Sequence, residues 1–153
     1  MYHLSMRILT NHHDTEDVLM GAFIRVFNHI HQFEYQGDGS LTRWIKTIVI
    51  NESIRFLKRK KQLIFYDDIS EINNAHWDNT VSEADIVDTE RIYAILASMP
   101  AGYRMVFNLF AIEGYSHKEI AEMLNISENT SKSQLRKARM YMIERIQNIQ
   151  KYG

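Results

Sequence analysis

The stretch GYSHKEIAEMLNISENTSKSQLRKARMYM, residues 114 to 142, constrains the fold more than any other part of the chain. Ser116 followed by Glu119 is a capping-box pair, which predicts a helix start. Ile120, Ala121 and Leu124 give that helix a buried face, and Ala121 is small enough for a close helix crossing. Asn125 falls where the chain must turn, and Asn enters the left-handed conformation more readily than any residue but Gly. Ile126 plugs the corner, and Ser127 caps a second helix in which Leu135, Ala138 and Met142 face inward. Asn129, Thr130, Lys132, Ser133, Arg136 and Lys137 are left pointing outward near its N-terminal half. A helix that only packs needs a charged outer face, not a clustered hydrogen-bonding one. A helix-turn-helix presents this end of its second helix to base edges in the major groove. The combination therefore favours DNA over a plain helical hairpin.

The rest of the chain reads as helical too. DTEDVLMGAFIRVFNHIHQF places Val18, Leu19, Ala22, Phe23, Val26, Phe27 and Ile30 at helical spacing, with Asp14 as the expected N-cap. YQGDGS is a loop, after which Ser40 is expected to cap LTRWIKTIVINESIRFLKRKK. Leu41, Trp44, Ile45, Ile48, Ile54 and Leu57 form the stripe of that helix, and Trp44 is assigned to the core with them. The helical pattern returns at Thr89, breaks at Pro100, and runs through PAGYRMVFNLFAIEG to a C-terminal cap at Gly114. The expected fold is all-α. Two small helical domains, residues 1–63 and 89–153, are joined by an acidic linker over 64–88, and the second contains the helix-turn-helix.

Net charge is −1, which alone says nothing about nucleic acid, but the distribution does. Residues 41–63 carry seven basic side chains against one acidic, while residues 64–90 carry eight acidic and no Lys or Arg. Residues 127–145 turn basic again. No apolar run reaches the length of a membrane span, the N-terminus lacks the pattern of a secretory signal, and there is no cysteine. These features fit a cytoplasmic protein without disulfides or membrane insertion. Among the histidines, His29 and His31 diverge by about 200° on a helix, and no His-Glu-x-x-His motif occurs, so no metal site is expected. Nor is there a Gly-rich phosphate loop, a nucleophile motif or a convergent carboxylate pair, so neither a cofactor nor an enzyme is expected.

MPAGYRMVFNLFAIEGYSHKEIAEMLNISENTSKSQLRKAR resembles region 4 of the sigma-70 family in its extracytoplasmic-function (ECF) branch. DTEDVLMGAFIRVFNHIHQF followed by GSLTRWIKTIVINESIRFLKRKK resembles region 2 of the same branch. The resemblance implies a sigma factor that binds core RNA polymerase and directs promoter-specific transcription initiation, catalysis being left to the polymerase. It also admits an anti-sigma factor as a partner. By the same resemblance, Lys132, Ser133, Arg136 and Lys137 contact the −35 element, with Thr130 beside them and Arg139 farther along toward phosphate. Arg136 and Ser133 are the candidates for base reading, since Arg forks onto guanine O6 and N7. Asn51 is assigned to a −10 base, and Arg55, Lys58, Arg59, Lys60 and Lys61 to phosphates of the opened strand. Asp14, Glu16, Asp17, Arg25 and Asn28 lie on the helix that, in the family, docks on the polymerase clamp.

Three departures from the family pattern stand out. The N-terminus is expected to be short of a stretch of helix. Gly21 sits mid-helix where the family usually has an acidic residue, and Ser131 stands where many members bury a valine. Two other functions fit parts of the chain. A free-standing helix-turn-helix regulator would use MYMIERIQNIQKYG to dimerise but leaves the first domain idle. A protein that sequesters a polymerase or regulator without DNA specificity is kept open by the short N-terminus.

Overall fold

The computed structural model describes residues 1–65 and 89–152, so the linker expected over 64–88 lies outside the described residues except for its first two. The described residues form helices joined by short loops and turns, without a strand, as an all-α chain requires. The chain divides into two compact units, Met1–Ile64 and Phe65–Gly153. Among the described residues, no helix is long and apolar enough to cross a membrane.

The first unit packs α1 (Tyr2–Leu9), α2 (His12–His29) and α3 (Ser40–Arg59) pairwise against one another, with a short 3₁₀ turn at Ile30–Gln32. The α1 helix, unread from the sequence, contributes Leu4, Ile8 and Leu9 to the core. Buried Ser5 and Ser53 meet where α1 crosses α3, their hydroxyls 3.5 Å apart.

Both expected caps are corrected. The N-cap of α2 is Asn11, whose side chain accepts from the Asp14 N–H at 3.0 Å. Asp14 is thereby the first-turn acid that suits the helix dipole. The N-cap of α3 is Gly39, at φ 79°, while the Ser40 hydroxyl accepts from the Gln36 N–H and fastens the preceding loop instead. The far end also differs, because α3 stops at Arg59 and does not run through the basic tetrad. Lys61 turns left-handed at φ 54°, with its N–H bonded to Lys58 and that of Gln62 to Leu57. That pair of bonds is a Schellman ending made without glycine.

The apolar stripes are narrower than their periodicity implied. Of the apolar residues of α2 only Val18, Ala22 and Val26 are buried, and Phe23, Phe27 and Ile30 stand in solvent. On α3 the buried apolar residues are Val49, Ile50, Ile54 and Leu57, whereas Leu41 is exposed. Trp44 is half-buried beside Phe33, ring centroids 5.5 Å apart, at the margin of the core and not within it.

The second unit contains α4 (Thr89–Ser98), α5 (Ala101–Phe107), α6 (His117–Leu124) and α7 (Glu128–Tyr152). Pro100 occupies the N-cap of α5, where its missing N–H is harmless. The helix expected to continue to Gly114 instead widens into a π turn over Asn108–Ile112, with the Glu113 N–H reaching the Asn108 carbonyl. Asn108 is buried, and its side-chain amide donates to the Arg104 carbonyl at 2.9 Å, so the backbone shares that acceptor at the point of widening. Gly114 then terminates the segment at φ 79°, as expected. Leu96, Met99 and Ala138 form a buried cluster with Tyr103, Phe107, Tyr141 and Met142 packed around it. The Tyr141 hydroxyl donates to the Ser98 carbonyl at 2.9 Å, tying α7 to the end of α4. Arg104 is buried, and its Nη1 donates to the Met99 carbonyl at 2.9 Å and the Leu96 carbonyl at 3.4 Å.

Candidate nucleic-acid and polymerase interfaces

The corner between α6 and α7 is built from local hydrogen bonds. The Ser116 hydroxyl accepts from the Glu119 N–H at 3.2 Å, and the Glu119 carboxylate accepts from the Ser116 N–H at 2.7 Å. Those bonds, the backbone one first, hold the Glu119 carboxyl below its ordinary range. Asn125 lies in the left-handed region at φ 55°, and Ile126 is half-buried at the corner. The Ser127 hydroxyl accepts from the Thr130 N–H at 3.0 Å and pairs with the Thr130 hydroxyl at 2.9 Å.

That last bond corrects one assignment. Thr130 is 8% exposed, because its hydroxyl is drawn into the cap, and it offers no surface to a duplex. Lys132, Arg136 and Arg139 are exposed at spacings of four and three, which puts them on one face of α7. Ser133 and Lys137 are half-buried along its edge. The Arg139 guanidinium lies 5.8 Å from the centroid of the Phe110 ring, so part of its surface is committed to the π turn. Ser131, set at the usual valine position, is fully buried, and its hydroxyl lies 2.9 Å from Nδ1 of His117. Nothing in the sequence pattern gives His117 a role.

In the first unit the two assigned groups of residues meet one another. Asp14, assigned to the polymerase, pairs with Lys60, assigned to DNA, at 3.0 Å. Glu52 bridges Arg25 at 2.5 Å and Arg55 at 2.7 Å, again one from each group. Lys60 also lies over the Phe56 ring, its Nζ 4.7 Å from the centroid. Lys58, Arg59 and Lys61 are exposed at the end of α3, and Asn51 is half-buried on it. Glu16, Asp17 and Asn28 are exposed on α2, with Asp17 3.5 Å from His13.

Between those charges lies an apolar surface that the sequence alone did not reveal. Met20, Ile24 and Phe27 are 67%, 55% and 74% exposed and follow one another at helical spacing along α2. Beside them, Gly21, Arg25, Glu52 and Phe56 line a cleft of about 560 Å³ between α2 and α3. No atom lies within 4 Å of where a Gly21 side chain would begin, so packing inside the unit does not require glycine. Three large apolar groups left in water on one helix mark an interaction surface. Of the three, only Phe27 belongs to the stripe read from the sequence, and Met20 and Ile24 lie outside it.

Comparison with known proteins places these features. The sigma-70 region 2 profile matches residues 1–62, and the sigma-70 region 4 profile matches residues 89–142. The chain is 26% identical to the ECF RNA polymerase sigma factor SigM of Bacillus subtilis, over 91% of this chain and 83% of that one. It is likewise 26% identical to SigW of the same organism, over 97% and 84% of the two chains. The ECF RNA polymerase sigma-E factor of Escherichia coli K12 is 22% identical, over 88% of this chain and 74% of its own. Among solved structures, the sigma factor RpoE of Bartonella quintana, crystallised with the anti-sigma factor NepR, shares the fold. Its TM-score is 0.62 at 18% identity, with 95% of this chain and 89% of that one covered. With both regions matched in family order on two helical units, the chain belongs to the sigma-70 family, in its extracytoplasmic-function branch, and is a sigma factor directing transcription initiation.

Proposed function

We propose that the two units divide the work of initiation, residues 1–63 binding core RNA polymerase and the −10 element and residues 89–153 binding the −35 element. The observation that carries the second assignment is the face of Lys132, Arg136 and Arg139, displayed on α7 just past a fully capped corner. Such a helix end enters the major groove, with Arg136 as the base reader and Lys132 and Lys137 on phosphate. The chain carries out no catalysis of its own. It works in the cytoplasm, where the polymerase is, and an anti-sigma factor is a fitting partner. Run-off transcription with core polymerase on a matched promoter, and on one with a scrambled −35 element, tests the division directly.

Arg136→Ala is expected to lose about 1–3 kcal/mol of discrimination between those two templates, the range for one bidentate base contact. Equal loss on both templates would make Arg136 a phosphate contact.

The basic end of α3 has a different signature. Replacing Lys58, Arg59 and Lys61 by glutamine should impair strand opening, read by permanganate footprinting, with little change in promoter choice. For every cation that had neutralised a phosphate, the log–log salt dependence of binding should flatten by roughly 0.7 on single-stranded DNA. Lys60 should add less than its neighbours because Asp14 already holds it. An unaltered slope with normal opening would leave the run as a solvated helix end.

A further inference from the structure

His117 is held by three elements at once. It is the first residue of α6, its Nδ1 lies 2.9 Å from the Ser131 hydroxyl on α7, and its ring stacks on Phe110 of the π turn. That stack is close, with centroids 4.5 Å apart and an interplanar angle of 20°. Arg139 reaches the same Phe110 ring. The imidazole is therefore built into the seat of α7, and it sits among the cations of the face assigned to DNA.

We propose that His117 is a positioning residue of the helix-turn-helix that takes up a proton when a duplex phosphate reaches the Lys132–Arg139 face, so that DNA binding tightens as the pH falls. The inference rests on α7 being the duplex-reading helix. In the free chain the imidazole pKa is lowered, by burial first and then by Lys132 and Arg139, with Glu128 pulling the other way. All three charges are on α7. From the π turn the Phe110 ring stacks on the imidazole. On α6 itself, the neighbouring Glu119 is already engaged with Ser116, and Lys118 is exposed. The neutral ring is thus the form of the free chain near neutral pH, with Nδ1 against Ser131 and Nε2 as its remaining nitrogen.

A phosphate at Lys132 and Arg139 offsets their repulsion and attracts the imidazolium, so the charged form gains. Ser131 suits both forms. Its hydroxyl donates to Nδ1 of the neutral ring, or accepts from Nδ1–H of the charged one while turning its own proton to the Ser127 carbonyl one helical turn back. The buried valine common in the family could do neither. The sign follows from linkage. A group whose pKa is higher in the complex tightens binding as pH falls through the bound value, and the gain levels off below the free value. A rise of about one pKa unit gives up to about tenfold in affinity.

The test is an NMR titration of the histidine rings in the full chain between about pH 8 and pH 5, with and without a mixed-sequence DNA duplex at low salt. It is paired with fluorescence anisotropy of the same duplex. The His117 midpoint should lie below its ordinary value in the free chain and rise with duplex. The tightening at low pH should shrink in His117→Gln to what the other histidines supply. An unmoved His117 midpoint alongside shifted α7 amide signals overturns the inference and leaves the duplex reading intact. A pH slope that survives whole in His117→Gln overturns it too. Unshifted α7 signals in the presence of duplex would instead remove the reading on which it rests. The wild-type titration needs no substitution, so a variant that folds poorly cannot blur the result.

Discussion

Replacing Ile24 and Phe27 together with glutamate is expected to weaken binding to core RNA polymerase by roughly a hundred- to a thousandfold while the first unit stays folded. Two large side chains buried in an interface contribute about 3–4 kcal/mol of apolar burial, which converts to that range. The folded chain gains nothing from them, since they are 55% and 74% exposed, and glutamate is as good a helix former as either. The charged residues of α2 are poorer candidates for the main contact. Arg25 is occupied by Glu52 of α3 and Asp14 by Lys60 just past its end, and Gly21 supplies no side chain where the family usually has an acid. Docking driven by the Met20–Ile24–Phe27 strip should also lose little affinity between about 0.1 and 0.5 M salt, whereas exposed ion pairs are screened over that range. Titration calorimetry or pull-down with core polymerase measures both. If the double glutamate binds normally while loss of Glu16 and Asp17 abolishes binding, the acidic flank carries the contact instead.

The helix-turn-helix was legible in the sequence because its signals are local. Ser116, Glu119, Asn125 and Ser127 each fix the backbone within a turn of themselves, and all four act as their residue types predict. The α2 strip was legible only by half. Val18 and Phe27, nine residues apart, fall about 180° apart on a helix, so the apolar positions span more than one face, but periodicity does not show where the covering helices stop. Thr130 was misplaced because a hydroxyl at the third helical position has a competing use in the cap. The ion pairs between helices could not be read at all. Asp14 and Lys60 are 46 residues apart, and only the packing of α2 on α3 brings them together. His117 and Ser131 are 14 residues apart on two packed helices, and neither residue alone signals the contact.

Arg104 was equally hidden, a single basic residue in an apolar run, and its replacement by alanine should destabilise the second unit by about 3 kcal/mol. The guanidinium donates to the carbonyls of Met99 and Leu96 at the C-terminal end of α4, where the Leu96 carbonyl also accepts from the Met99 N–H at 3.2 Å. Burial lowers its pKa, the direction expected of a cation taken out of water, and the arginine value starts high enough to keep it charged. Alanine would leave those carbonyls without the guanidinium and open a space beside Met105 and Val106, both fully buried next to it in sequence. Arg104→Met fills most of the space but still loses the donor, so it should recover the packing part alone. Hydrogen exchange along α5 and α7 reports on this unit, and along α2 and α3 on the other. The functional consequence is selective. Polymerase binding through α2 should survive in Arg104→Ala, and transcription that depends on the −35 element should fall with the stability of the unit that reads it. A loss below about 1 kcal/mol would mean that water replaces the guanidinium at those carbonyls and that the end of α4 is open to solvent.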